Sequence, residues 1–242
     1  MYHAIGVRTA KQDPDNLFVP PENFAAQLQV LADRALRPVS VQDHVAGRAG
    51  RGDVVITFDD AYVSTLEAAA PQLRERGWPA AVYVCSGLLG GTSHWNADPL
   101  EPLLDADGVL ELVRLGWTVG AHSRTHPDLR GLPAPRLEAE VKGSRDDLGD
   151  LLGSAPATFA YPFGHQDGAA RAAVAAAGYG LGYAVHRGHD VLSIARVDVN
   201  ATDSARTFAL KLRRGYPLAR RVLGLAPPLR RAVHRVAGAA SR

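Results

Sequence analysis

The sequence predicts an α/β fold built on a mainly parallel sheet, either open or closed into a barrel. Three observations predict it. Short apolar runs recur along the chain, each is followed by a segment with helical start or stop residues, and polar residues gather just past several of the runs. In both architectures ligands sit at the carboxyl ends of the strands, where those polar residues fall.

The elements follow in order. Residues 53–58 read as a buried strand ending in Asp59 and Asp60. Residues 63–76 read as the next helix, with Ser64 as N-cap and Gly77 just past its end. A strand over 80–84 leads into a glycine-rich loop, 87–99, that carries His94 and Trp95. A helix over 107–115 and a strand over 117–121 come next, then a loop over 122–131. The helix over 135–152 stops at Gly153, and a short strand covers 158–161. A helix over 168–177 is stopped by Gly178, and strands over 181–185 and 192–199 complete the pattern.

The bulk numbers bound the classes. A chain of 242 residues suits one large domain, and 46% hydrophobic with 21% charged residues excludes wholesale disorder. A chain this long buries enough surface to dispense with disulfides, and the single cysteine, Cys85, lies in an apolar run and reads as a buried thiol. The opening Met1-Tyr2-His3-Ala4-Ile5-Gly6 lacks the features of a secretory signal, and no run of about 18 apolar residues occurs. Read literally this is a cytoplasmic chain; it is an exported one if the true start lies upstream.

Charge divides the chain. From Ser204 onward there are ten basic residues and no carboxylate, while the remainder is net acidic. This sets a body, 1–203, apart from a basic, partly amphipathic segment, 204–242, in which Leu210, Leu212, Leu218, Val222 and Leu223 alternate with arginines. Such a segment packs back on the body, lies on an anionic membrane surface, or binds an acidic glycan carrier. No nucleic-acid partner is expected, because no recognition fold accompanies the charge.

Two motifs carry chemistry. In Thr57-Phe58-Asp59-Asp60 two carboxylates at a strand end repel unless a cation or proton relieves them. Adjacent side chains leave a strand in different directions, so one can hold a metal while its neighbour faces a water; a solvated turn or helix cap is the plainer alternative. In His122-Ser123-Arg124-Thr125-His126-Pro127 two imidazoles three residues apart can reach one cation. Pro127 keeps His126 out of the α region, which favours a tight loop. The helical HExxH pattern is absent, since Ser123 stands where its Glu would be. Two imidazoles and one carboxylate leave a coordination position open, as a catalytic zinc-type site requires, and the spare aspartate can serve as base.

These two motifs, followed by Phe159-Ala160-Tyr161-Pro162-Phe163-Gly164, resemble in order the first three motifs of the polysaccharide deacetylases, the NodB-homology or carbohydrate esterase family 4 group. The resemblance covers roughly 1–200. It implies a distorted (β/α) barrel and one divalent metal, zinc foremost, with cobalt, nickel or manganese as alternatives. It implies Asp60, His122 and His126 as ligands, Asp59 as base, and the backbone N–H of Tyr161, beside Pro162, at the oxyanion. The substrate it implies is an N-acetylated glycan or amino sugar.

The sequence departs from the family in two places. The third motif lacks its usual arginine, a gap that Arg196 either fills or leaves open as a surface residue. The Leu-x-His motif that supplies the general acid is also missing. The opening Tyr2-His3-Ala4-Ile5 resembles the Tyr-His-x-Ile segment of a circularly permuted branch, as does the helical run over 24–36, and this implies His3 as the acid. Trp95 either stacks on a sugar at the cleft rim or closes the top of the barrel. His44, His94, His186 and His189 read as solvated loop residues. Two rival readings are a hydrolase of non-peptide C–N bonds in small molecules and a metal-free glycan-binding protein on the same fold.

Overall fold

The computed structural model describes residues 1–95, 100–185, 188, 190–213 and 216. Two small parallel pairs stand at the start: β1 (Ala4–Ile5) with β2 (Phe18–Val19), and β3 (Arg37–Pro38) with β4 (Asp53–Val54). The main sheet is parallel throughout and holds β5 (Thr57–Phe58), β6 (Ala81–Val84), β7 (Thr118–Ala121), β8 (Thr158–Ala160), β9 (Leu181–Ala184) and β10 (Ile194–Ala195). Its strand order runs from β10 straight down to β5, so each strand lies beside the one that precedes it in the chain.

The helices are α1 (Pro21–Asp33), α2 (Val41–Val45), α3 (Ala70–Arg74), α4 (Ala106–Arg114), α5 (Ala134–Leu152), α6 (Gly168–Ala176) and α7 (Ala205–Lys211). Proline near the start of α1 and α5 fits the first turn, where its missing N–H costs nothing. Asp105 and Asp167 cap α4 and α6 by accepting from the N–H groups of Gly108 and Ala170.

Strand alternation sorts the core into two faces. Val82, Val84, Ala121, Phe159 and Ala184 pack outward with Leu112, Val141, Leu148 and Val174 of the surrounding helices. Ala81, Tyr83, Ala160, Leu181 and Tyr183 turn inward and are joined by Val41 of α2. The inside is crowded: a Cβ at Gly120 would collide with the Tyr83 ring, so glycine is what lets that ring lie across β7.

The sheet curls, and the N-terminal segment bridges its two edges. Tyr2 donates to the Thr57 carbonyl and its own carbonyl accepts from the Asp59 N–H, while the Met1 carbonyl accepts from Val199. This is the barrel-like α/β architecture expected from the sequence, and it sets His3 beside the end of β5.

Three boundaries differ from expectation. The single strand expected over 53–58 is divided, because Asp53–Val54 pairs with β3 while Thr57–Phe58 enters the main sheet. The helix expected over 63–76 opens with a wide π-helical turn, Thr65–Ala69, in which Ala70 donates to Thr65. Pro71 has no N–H with which to continue ordinary α bonding there, and Ser64, expected as the cap, accepts instead from the Ile5 N–H. The strand expected over 192–199 is ordered as a ladder only at Ile194–Ala195.

The basic segment begins inside the folded body. Helix α7 packs on α1, and the buried Lys211 ammonium donates to the Asp198 carbonyl and to the Asp203 carboxylate. Most of the expected amphipathic stretch, 217–242, lies outside the described residues. Among the described residues no helix is long and apolar enough to cross a membrane.

Candidate active site

Loops after β5, β7 and β8 meet at one end of the barrel. Among the described residues seven non-glycine residues have positive φ, and five of them lie in these loops: Asp60, Ala61, Ser123, His126 and Phe163. Each such conformation costs about 1–3 kcal/mol and persists only where the surroundings enforce it.

Asp60 comes off the end of β5 at φ 72°, is 2% exposed, and leans across the end of the sheet. Its Oδ1 lies 3.3 Å from His122 Nε2 and 3.4 Å from His126 Nε2, and it has no hydrogen-bond partner. An unpartnered carboxylate oxygen buried between two imidazole nitrogens is what a cation-binding set looks like before its cation is added. The three ligand atoms lie within 4.8 Å of one another, so the donor set fits a single divalent ion.

The imidazoles are held differently. His122 Nδ1 donates to the Ala160 carbonyl at 2.7 Å, which fixes the tautomer and presents the Nε2 lone pair to the cluster. His126 has a positive φ, 59°, and its N–H donates to Ser123 Oγ. Burial lowers His126 to about 3. Burial acts on His122 in the same direction but is overcome by the Asp60 and Asp59 carboxylates, so its pKa is raised. Burial pushes Asp60 up, and the two histidines reverse this and hold it well below the usual carboxylate range.

Asp59, the residue before Asp60, has a different partner. Arg196 grips it bidentately, Nη1 to Oδ1 at 2.7 Å and Nη2 to Oδ2 at 2.6 Å. Burial favours the protonated acid, but the arginine and His122 outweigh it and keep the carboxylate ionised. The guanidinium in turn lies over the rings of Tyr83 and Tyr183, with its carbon 5.3 and 5.6 Å from their centroids. Arg196, expected either to fill the place of the third-motif arginine or to lie at the surface, is buried just past β10 and is the guanidinium that holds Asp59.

His3 is half-buried with an enclosed, unpartnered Nδ1; burial lowers its pKa while Asp60 and Asp59 oppose the shift. Trp95 is partly buried and packs against the apolar cluster of Ala4, Phe18, Tyr62 and Leu103; its ring stacks on His126 at 3.9 Å and its Nε1 donates to Asp60 Oδ2 at 3.4 Å. His94 is exposed against Trp95, His44 bonds Tyr183 Oη, and His186 and His189 lie outside the described residues.

The Tyr161 N–H expected at the oxyanion is spent elsewhere. It donates to the Tyr183 carbonyl at 3.0 Å, extending the ladder between β8 and β9. Pro162 follows, and has no N–H. The Phe163 N–H has no acceptor among the described residues, and the Phe163 ring lies 4.6 Å from His126. Its αL backbone was hidden in a sequence that gives only Pro-Phe-Gly.

Another contributor was missed. Glu140, on α5, accepts from the N–H groups of Arg124 and Thr125 and from Thr125 Oγ1. Its carboxylate staples the loop between the two histidines. The signal was available, since Glu140 falls in helical register with Leu137, Val141, Ser144 and Leu148 on the buried face.

The fold and this donor cluster define a class, and comparison agrees with it. The family model for polysaccharide deacetylases matches residues 46–182, and the chain belongs to that family. Hydrolytic deacetylation of a polysaccharide is the activity that membership supports.

Particular relatives can then be named. YxkH of Bacillus subtilis (strain 168), provisionally named a polysaccharide deacetylase, is 22% identical over 218 residues, 86% of this chain and 73% of its own. The Streptococcus pyogenes deacetylase PplD, solved with acetate, is 25% identical with TM-score 0.76, covering 88% of this chain and 96% of its own. IcaB from Ammonifex degensii shares the fold at 24% identity and TM-score 0.73, covering 87% of this chain and 94% of its own.

Proposed function

We propose that this protein removes N-acetyl groups from an amino-sugar glycan, using a divalent cation held by Asp60, His122 and His126. The observation that carries the reading is the buried, unpartnered Asp60 Oδ1 facing two imidazole nitrogens, beside an aspartate kept ionised by Arg196. When bound, a divalent cation supplies Lewis acidity, bringing water toward a neutral pKa and polarising the acyl carbonyl.

The chain's own residues do the rest. Asp59 takes the proton of the attacking water; Arg196 fixes its plane and keeps it charged, and each oxygen retains a second lone pair for that proton. The Phe163 N–H is the donor best suited to the developing oxyanion, in place of Tyr161; such a donor is typically worth about 3 kcal/mol. His3 gives a proton to the departing amine, without which the amide C–N bond breaks poorly. Its lowered pKa leaves it mostly neutral at pH 7, so it must receive this proton during turnover, and Asp59 holds one once the water has attacked. Trp95 and Pro162 shape the walls rather than move protons.

Acetate release from N-acetylglucosamine oligomers tests the reading. Asp59→Asn should keep stoichiometric metal and lose at least about 10²-fold in kcat, and His3→Gln should lose about 10²–10³-fold. Wild-type turnover by Asp59→Asn would remove the assigned base, and a metal-loaded wild type inert on every acetylated glycan would remove the activity.

A further inference from the structure

The two ligands in the strained loops, Asp60 and His126, come from segments 66 positions apart in sequence, and one side chain touches both. Trp95 stacks on the His126 ring with centroids 3.9 Å apart and planes inclined at 25°. Its indole N–H donates to Asp60 Oδ2, the oxygen turned away from the imidazoles, at 3.4 Å. Neither ligand has another comparable restraint: His126 Nδ1 is buried without a partner, whereas His122 is fixed through the Ala160 carbonyl. Phe163 reaches His126 at a steep 64° ring angle, which supports the imidazole without fixing its plane.

We propose that Trp95 is a positioning residue of the cation site, clamping His126 by stacking and Asp60 by its N–H so that both keep their lone pairs on a common point. This rests on the reading of Asp60, His122 and His126 as ligands. Stacking fixes the plane of an imidazole that no hydrogen bond fixes. The N–H bond occupies Oδ2 and so leaves Oδ1 as the ligating oxygen. Partners of this kind outside the coordination sphere typically govern metal affinity by about 10–100-fold.

The test uses the whole chain, zinc and cobalt(II) alone as probes, and three proteins: wild type, Trp95→Phe and Trp95→Leu. Zinc affinity is measured by competition with a chromophoric chelator. Trp95→Phe keeps a ring over His126 and loses the N–H, so its affinity should fall about tenfold. Trp95→Leu loses both contacts and should fall toward 100-fold. Cobalt(II) should also quench the Trp95 component of wild-type emission, because Trp78 packs beside Arg76 and Trp117 against Phe58, on the outer side. Circular dichroism checks that each variant is folded. Variants that bind zinc within twofold of wild type, or wild-type emission indifferent to bound cobalt, would overturn the clamp and leave the ligand assignment standing. A wild type that binds neither ion would overturn both.

Discussion

His122 and His126 are the same residue type in one buried cluster, yet their surroundings push their protonation in opposite directions. Burial dominates at His126 and lowers it to about 3, so it is neutral at any working pH and would take up a cation without losing a proton. At His122 burial is overcome by Asp60 and Asp59, and the raised pKa keeps a proton on the ring to a higher pH. A metal must displace that proton, since only neutral imidazole is a ligand. Apparent zinc affinity should therefore rise with pH, by about tenfold per unit while His122 is still protonated, and level off above its raised pKa. Calorimetry in buffers of differing ionisation enthalpy should find about one proton released per ion below that plateau. An affinity independent of pH from 5.5 to 8 would show that His122 does not compete with a proton for the metal.

At the scale of elements, the loop between β7 and α5 depends on α5 itself. Glu140 satisfies two N–H groups and one hydroxyl of that loop. Glu140→Leu removes these acceptors and leaves enclosed donors, at about 1–3 kcal/mol for each one left without water. It should also weaken zinc binding by about 10–100-fold, with Glu140→Gln partway between. Unchanged thermal midpoint and unchanged affinity in Glu140→Leu would show that the loop holds itself.

These elements also show what the sequence exposed and what it hid. The Asp59-Asp60 pair and the His122/His126 spacing were legible because metal chemistry restricts residue type and local order. Helix α5 was legible through its period and the terminating Gly153, which adopts φ 72°. Arg196 was legible only as a candidate, because its contact with Asp59 spans 137 positions and depends on how the sheet curls. Tyr161 was misread because the ladder to β9 decides which amide is free, and no local pattern records that pairing. The π-helical turn escaped because the start and stop residues of a helix, Ser64 and Gly77, carry no record of the bonding pattern between them.

At the scale of the whole molecule, the barrel is completed by segments from both ends of the described chain. The N-terminal segment bridges the sheet edges and brings in His3, while α7 is fastened to α1. Gln27 of α1 donates to the Asp203 carbonyl, and the Asp203 carboxylate accepts from Lys211 and from the Asn200 N–H. Lys211 and Asp203 are both nearly fully buried, with side chains 8% and 6% exposed. Breaking a buried pair from one side costs more than the pair contributes, because the remaining charge stays desolvated. Lys211→Met should therefore destabilise the fold by about 3 kcal/mol in urea unfolding, while Lys211→Met with Asp203→Leu should recover part of the loss. A single variant as stable as wild type would mean that α7 is not part of the cooperative unit.

Everything chemical in the account depends on one carboxylate and two imidazoles sharing a cation. Metal content after zinc loading and exhaustive dialysis tests this most directly, comparing wild type with Asp60→Ala, His122→Ala and His126→Ala. Wild type should retain about one equivalent and each variant close to none, with Asp59→Asn retaining the wild-type amount. Zinc held stoichiometrically by the three ligand variants, or refused by the wild type, would contradict the account.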